Sequence, residues 1–375
     1  MMRYCARCIL PDTRPGITLD AAGVCSACRG HDDKESRIDW AARRAAFDRI
    51  VAETKARGAA YDCVVPVSGG KDSWYQVIMA QRHGLKPLGV TWKPPGRTPL
   101  GQRNLDAMIA RLGIDHIDFS VSPEVERRFT KAAFERKGAS AIPMHMALFA
   151  IPIRLATQLG VALIVWGENP QLEFGGAEAD RLATDLDLDW VRRNGVTNGT
   201  AVEDWVGAYG LRADDLAAYR LPPATSFESG VRSIFLGSYF KWSSFENARI
   251  AAEHGFTVGE APATGAWNFA DLDDRFISIH HFLKWHKFGM TRAFDNLSVQ
   301  IRFGQLSRSE AIATVRSLGV QEPDNDIEAF CDFVREPREW FTATAERFRN
   351  PSIWHRRGNR WVIDGFLIED WDWSR

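Results

Sequence analysis

No run of about 18 apolar residues stands out in the sequence, and by that measure a membrane-spanning helix is not expected. The first residues, Met1-Met2-Arg3-Tyr4-Cys5, lack the apolar run of a secretory leader, so the expected location is the cytoplasm. A charge excess is missing too. Lys and Arg number 47 against 48 Asp and Glu, a net charge of −1, so no basic balance points to nucleic acid and no acidic tail to a solvating segment. Cysteine is scarce at six residues, and in a reducing compartment these are metal ligands or thiols rather than disulfides. Internal repeats and low-complexity tracts are absent. What is there is the composition of a folded chain, 45% hydrophobic and 25% charged. Its 375 residues suffice for one large domain with attachments or two modest domains.

The few cysteines are unevenly placed. Four of the six fall in residues 1–33, as Cys5-x2-Cys8, sixteen residues, then Cys25-x2-Cys28. Two such knuckles offer four thiolates on two tight turns, the spacing of a zinc ribbon. A closed four-thiolate site leaves no open position for a substrate water, so its expected role is structural. Reduced cysteines packed in a small lobe are the blander reading; an iron–sulfur cluster fits less well, because ferredoxin spacings differ. Cys63 falls in an apolar run and reads as a small core residue.

Residues 34–60 have helical spacing and form a linker. From 61 onward apolar runs alternate with helical stretches. Strands are expected at 61–67, Pro87–Trp92, 114–121 and 162–166, with helices at 74–83, 102–112, 124–137 and 144–159. That alternation implies right-handed βαβ units and a parallel sheet over a domain spanning 61–320. Residues 185–232 read as a helical insertion, and 321–375 as a helical or docking segment ending in a hairpin near 360–366. Residues 282–288 are aromatic-rich and read as core packing.

Between the first strand and its helix lies Val67-Ser68-Gly69-Gly70-Lys71-Asp72-Ser73. The glycines permit a tight turn and close ligand approach. The new helix supplies free N–H groups and a positive dipole end. Ser68 and Ser73 add hydroxyl donors and Lys71 adds charge, which together make an anion nest for phosphates. The spacing is neither that of a Walker A loop nor that of the Gly-x-Gly-x-x-Gly fingerprint.

This loop resembles the signature of the PP-loop ATP pyrophosphatases, which cleave ATP between the α- and β-phosphates and adenylate a carbonyl-type oxygen. The resemblance implies an α/β, adenine nucleotide alpha hydrolase-like core, ATP held by Ser68, Gly69, Gly70, Lys71, Asp72 and Ser73, and Mg²⁺ placed by Asp72. Further segments narrow it. They include Pro11-Asp12-Thr13-Arg14-Pro15, Val90-Thr91-Trp92-Lys93-Pro94, Trp166-Gly167-Glu168-Asn169-Pro170-Gln171, and Lys284-Trp285-His286-Lys287-Phe288-Gly289-Met290-Thr291-Arg292. Taken together, from residue 4 to about 315, the chain is similar to the N-acetyl sugar amidotransferases of surface-polysaccharide synthesis, most weakly across 177–232. That likeness implies conversion of an acetamido group of a sugar, nucleotide-linked, to acetamidino.

Position suggests the remaining roles. Strand ends open on the ligand crevice in such sheets, so Trp92 is expected beside the adenine, and Glu168 and Asn169 beside the substrate, with Glu168 binding it or acting as a base. Lys287 and Arg292 are expected to meet the leaving pyrophosphate. His280 and His281 are adjacent and diverge, so only one is expected to face the site, and His280 is assigned to substrate. No cysteine has the setting of a glutaminase nucleophile, so the resemblance implies a separate glutaminase subunit supplying ammonia, in some systems with a cyclase-like companion. Two competing readings are a PP-loop tRNA sulfurtransferase, which would need a persulfide cysteine near the ATP site, and a non-catalytic zinc-ribbon interaction protein, against which the complete loop argues.

Overall fold

The computed structural model describes residues 2–223 and 230–373. At its centre is a five-stranded parallel sheet, β1 (Cys63–Pro66), β2 (Pro87–Trp92), β3 (Asp115–Phe119), β4 (Leu163–Trp166) and β5 (Arg232–Phe235), in the order β3-β2-β1-β4-β5. β1 and β4 read Cys-Val-Val-Pro and Leu-Ile-Val-Trp and are buried throughout, as central strands covered on both faces must be. Alternate residues serve opposite faces. Val64 and Ile164 join a core with helices Pro123–Lys137 and Ile142–Leu159. Val65 and Val165 join another with helices Trp40–Lys55, Lys71–Arg82 and Ser244–His254. Edge strand β3, Asp-His-Ile-Asp-Phe, is exposed or half-buried, and its two aspartates discourage further pairing.

Helix Ile142–Leu159 is long and apolar enough to cross a membrane, contrary to the reading of the sequence as lacking such a run. Here half of it is buried, against β1, β2 and β4, which is the position of a core helix. The first helix, Ser26–Ser36, begins inside the cysteine-rich segment, capped by Cys25, so the expected boundary at 33/34 cuts through it. Within 185–232, of which 224–229 lie outside the described residues, one helix (Leu188–Asn194) and three short 3-10 turns replace the expected helical insertion. This stretch then enters the fifth strand at Arg232.

Beyond the sheet, helices Phe276–Phe288, Arg292–Arg302, Arg308–Leu318, Asp324–Val334 and Arg338–Arg347 lead to an antiparallel hairpin, β6 (Trp354–Arg357) and β7 (Arg360–Ile363). The cysteine-rich segment shares a core with this region, through Met2, Ile9 and Ile17 against Trp285, Phe294 and Phe366.

Candidate active site

The strand order places the topological switch point between β1 and β4. β1 leads outward to β2 and β3, and the chain then crosses back to β4. Ligands bind beyond the carboxyl ends of the strands at such a point. A cleft of about 270 Å³ opens there, lined by Ser68 and Ser73 after β1, Thr91 and Trp92 at the end of β2, and Glu168 after β4.

The loop after β1 is held by its own serines. Ser68 N–H donates to Ser73 Oγ at 2.9 Å and Gly70 N–H to Ser68 Oγ at 3.3 Å. Gly69 has φ +86°, and a Cβ there would lie 2.7 Å from Leu105 N. The loop therefore passes against the backbone of helix Pro99–Leu112 at a position only glycine fits. Gly70 caps helix Lys71–Arg82 without a side-chain hydrogen bond, so no side chain of the cap blocks the first-turn N–H groups. Lys71 is buried and ion-paired to Asp72, whose other oxygen accepts from Asn247 Nδ2 at 3.0 Å.

Glu168 faces this loop. Burial, and then the negative charge of Asp72, pushes its carboxyl up to about 7, with Lys71 pulling the other way. Asp72, at the start of the helix beside Lys71, is a carboxylate suited to a divalent cation bound through few carboxylates and phosphate oxygens. The cleft is roofed by 271–275, which the sequence reading passed over. Asp273 and Asp274 line it. Thr98 N–H donates to Asp273 O at 3.0 Å and Arg275 N–H to Gly96 O at 2.9 Å. Gly101 permits the approach, since a Cβ there would lie 2.5 Å from Asp273 Cα. The acidic run Asp271-Leu272-Asp273-Asp274 ahead of an aromatic helix was the available signal.

A second cavity, of about 660 Å³, is lined by Arg14, Arg192, Arg193, Lys284, Lys287 and Arg292, with His145 and His280, and by no Asp or Glu among the described residues. Its cations are anchored from behind. Arg14 Nε and Lys284 Nζ each lie 2.7 Å from the buried Asp295, and Arg292 Nε lies 3.0 Å from Asp271. Burial alone would raise the Asp295 carboxyl, but Lys284, Arg14 and Arg292 hold it well below the usual carboxylate range. Burial depresses the Lys287 ammonium to about 8 and keeps the His280 imidazole neutral.

The expected site residues thus divide. Ser68, Ser73, Trp92 and Glu168 line the cleft, and Gly69, Gly70, Lys71 and Asp72 lie in the loop between the two serines. His280 lines the basic cavity, while His281 is buried behind it, 3.5 Å from Asp271. Lys287 and Arg292 also line the basic cavity rather than the phosphate loop, and the Lys287 ammonium donates to Lys137 O at 2.9 Å. Asn169, expected to touch substrate, is corrected. It is fully buried, its Nδ2 donates to Asp180 O at 2.7 Å and also reaches Arg181 O and Ala183 O, and its Oδ1 caps the next helix through Gln171 N–H. Those bonds occupy both amide hydrogens, which makes Asn169 a clamp on the 180–183 segment.

The four cysteines converge. Their sulfurs lie within 4.8 Å of one another, all buried. Cys8 and Cys25 N–H groups donate to Cys5 Sγ at 3.4 and 3.2 Å, and Cys28 N–H to Cys25 Sγ at 3.4 Å. Amide bonds to sulfur are the outer support a metal-bound thiolate uses, and the donor set is consistent with a zinc ribbon.

No curated protein matches the chain. Among solved structures it is similar to NMN synthetase from Francisella tularensis, at 15% identity over 72% of this chain and 94% of that one, with a TM-score of 0.28. Residues 266–365, which supply Asp273 and Asp274 to the cleft and His280, Lys284, Lys287 and Arg292 to the basic cavity, match the family model described as LPS biosynthesis protein WbpG-like, C-terminal domain.

Proposed function

We propose that this protein is an ATP-dependent, AMP-forming amidotransferase that converts an acetamido group of a nucleotide-linked sugar to acetamidino. The observation that carries the reading is the pairing of two cavities. One is a phosphate-loop cleft at the switch point, of a size for a nucleotide. The other is a larger cavity lined by six cations and, among the described residues, by no acid, suited to a sugar carrying phosphates. The match of residues 266–365 to a lipopolysaccharide-biosynthesis domain supports a surface-polysaccharide sugar as the substrate class.

In this reading Trp92 stacks on the adenine, and the loop N–H groups, Ser68, Ser73 and Lys71 hold the phosphates. Asp72 with Asp273 would hold Mg²⁺, which would neutralise charge on the leaving pyrophosphate, and Glu168 is left free of the metal. The acetamido oxygen attacks the α-phosphorus, and Glu168, poised near 7, accepts the amide proton as the imidate forms. Ammonia adds at the imidate carbon and AMP departs. Arg14, Lys284 and Arg292 orient the substrate's own phosphates, their direction fixed by Asp295 and Asp271.

The test is product analysis. With ammonium and a panel of UDP-linked N-acetylated sugars, the purified chain is expected to release AMP and pyrophosphate in equal amounts. The sugar product should be lighter by the oxygen-for-NH difference. Glutamine should replace ammonium only after a separate glutaminase is added. ADP as product, or turnover on glutamine by this chain alone, would contradict the reading.

Sulfur transfer makes a different demand on the cysteines. Cys63 is fully buried at the start of β1, paired with Pro87 and Leu163, at the strand end opposite the cleft. Burial raises its thiol further from reactivity. Cys331 sits on helix Asp324–Val334, and neither residue lines the cleft or the basic cavity. Cys63→Ala and Cys331→Ala are each expected to keep most of the AMP-forming activity. Loss of activity in a folded variant, or a product heavier by the sulfur-for-oxygen difference, favours a sulfurtransferase.

A further inference from the structure

A third cavity, of about 20 Å³, has room for one water molecule or one ion of that size. It lies where the two larger ones meet. Trp92, Met144 and Asp274 belong to it and to the nucleotide cleft, and Ala141 belongs to it and to the basic cavity. Its polar lining is Glu126, Thr130, Ser140, Asp274 and the buried Trp92 indole N–H, with no Lys, Arg or His among the described residues.

These groups have acceptor capacity to spare. Glu126, 4% exposed, uses Oε2 to accept from Tyr219 OH at 2.7 Å. Asp274, 7% exposed, uses Oδ1 to accept from Phe276 N–H at 3.0 Å. Asp274 keeps a second oxygen, and the Glu126 carboxyl, which the Trp92 indole also faces, keeps lone pairs beyond the Tyr219 bond. The buried Ser140 hydroxyl has no protein partner. Asp273 and Asp326 add negative charge around Asp274, partly offset by Arg275. Burial raises the Glu126 carboxyl to about 7, the cost of an acid facing a cavity that lacks a basic lining residue. A water would fill the volume, but ammonium, alone among ions of this size, combines N–H donors with the positive charge the lining lacks.

We propose that this cavity holds the ammonium ion whose nitrogen is transferred, with Glu126 and Asp274 as its carboxylate partners. The fate of the nitrogen rests on the amidotransferase reading; the occupancy of the cavity does not. Glu126 takes a proton from ammonium and leaves ammonia. The ammonia lone pair forms the C–N bond at the imidate carbon beyond Trp92 and Met144. The bond from that carbon to the AMP oxygen breaks, its electron pair leaving with AMP, and the amidine keeps the surplus proton as amidinium.

Thallium(I), an ion of ammonium's size and charge, is the probe. Crystals of the full chain soaked in thallium(I) acetate are expected to show an anomalous peak between Glu126, Asp274 and Ser140. Excess ammonium chloride should displace it, and Glu126→Gln should lack it. In turnover, Glu126→Gln is expected to raise the KM for ammonium about tenfold or more, the usual cost of a hydrogen bond to a charged group. The KM for ATP should stay within about twofold, since no nucleotide-loop residue is touched. Ser140→Ala serves as the second variant should Glu126→Gln not fold. No thallium peak in the wild type, or an unchanged ammonium KM in a folded variant, overturns the proposal. A peak displaced by ammonium, in a wild type that forms no AMP, sinks the amidotransferase reading while leaving a monovalent-cation site standing.

Discussion

Gly69→Ala is expected to lower AMP formation by a factor on the order of 10² to 10³ in a chain that still folds. Two penalties combine at this position. The backbone is left-handed, with φ +86°, which costs an L-residue with a Cβ roughly 1–2 kcal/mol. The added carbon would also lie 2.7 Å from Leu105 N and 2.9 Å from Leu105 Cα, which are backbone atoms within a helix and cannot rotate away. The loop must therefore lift off helix Pro99–Leu112, and lifting it moves the N–H donors of Gly70 and the first helical turn away from where phosphates would lie. The neighbouring substitution is the control. Gly70 has an ordinary φ of −70°, and a Cβ there meets only Ser68 Oγ at 3.3 Å, a group that can turn. Gly70→Ala should therefore stay within about tenfold of wild type, in line with the few tenths to about 1 kcal/mol that a poorer cap costs. ATP–pyrophosphate exchange and AMP release, with circular dichroism as the folding check, decide the matter. A Gly69→Ala protein as active as wild type would mean that this loop does not position the nucleotide.

The loop and the cysteine knuckles were legible because their signals are local. A strand, two glycines and a helix start occupy about ten consecutive residues, and each knuckle occupies four. Both larger cavities assemble from segments far apart in the chain, and that is where the sequence reading thinned. Arg14, Arg192 and Lys284 meet only after the fold closes, so nothing near Arg14 announces that it faces a basic cavity. Asp273 comes to the phosphate loop because 271–275 lies across the start of helix Pro99–Leu112, a contact between residues about 170 positions apart. Asn169 misled for the converse reason. Standing next to Glu168 at a strand end, it shares that residue's address, but its amide turns back to three carbonyls of 180–183. β5 has four residues after an irregular stretch, too short to show a period, and exists because it pairs with β4. Helix Ile142–Leu159 shows the limit of composition: an apolar stretch of this length describes a core helix as well as a spanning one.

The largest effect on stability is expected at the cysteine cluster. Purified protein should hold one zinc per chain, and Cys25→Ser should lose that metal and lower Tm by roughly 10 °C or more, since several kcal/mol of folding energy reside in a structural zinc site. Position argues for a cost beyond the ribbon itself. Cys25 caps helix Ser26–Ser36, whose Lys34 is fully buried, with its ammonium 2.6 Å from Glu173 and 2.9 Å from Trp242 O. Arg308 Nε donates to Cys8 O at 3.1 Å, and Thr13 Oγ donates to Phe288 O at 2.6 Å. Met2, Ile9 and Ile17 complete a core whose other half is Trp285, Phe294 and Phe366. Without the metal, four buried thiols keep only weak mutual hydrogen bonds, and this shared core loses the element that fixes one side of it. The same argument predicts a kinetic signature. Arg14, which follows the first knuckle, reaches both Asp295 and the basic cavity. Partial removal of zinc by a chelator should therefore raise the KM for the sugar substrate before it alters ATP–pyrophosphate exchange, because the phosphate loop is anchored to the sheet and not to the ribbon. Metal analysis by plasma emission, thermal scans with and without chelator, and paired kinetics supply the measurements. A wild type that purifies without metal, a Tm that a chelator leaves unchanged, or iron with visible absorbance in place of zinc, would overturn the zinc assignment. Equal loss of sugar binding and exchange would instead mean that the ribbon supports the whole domain rather than the basic cavity.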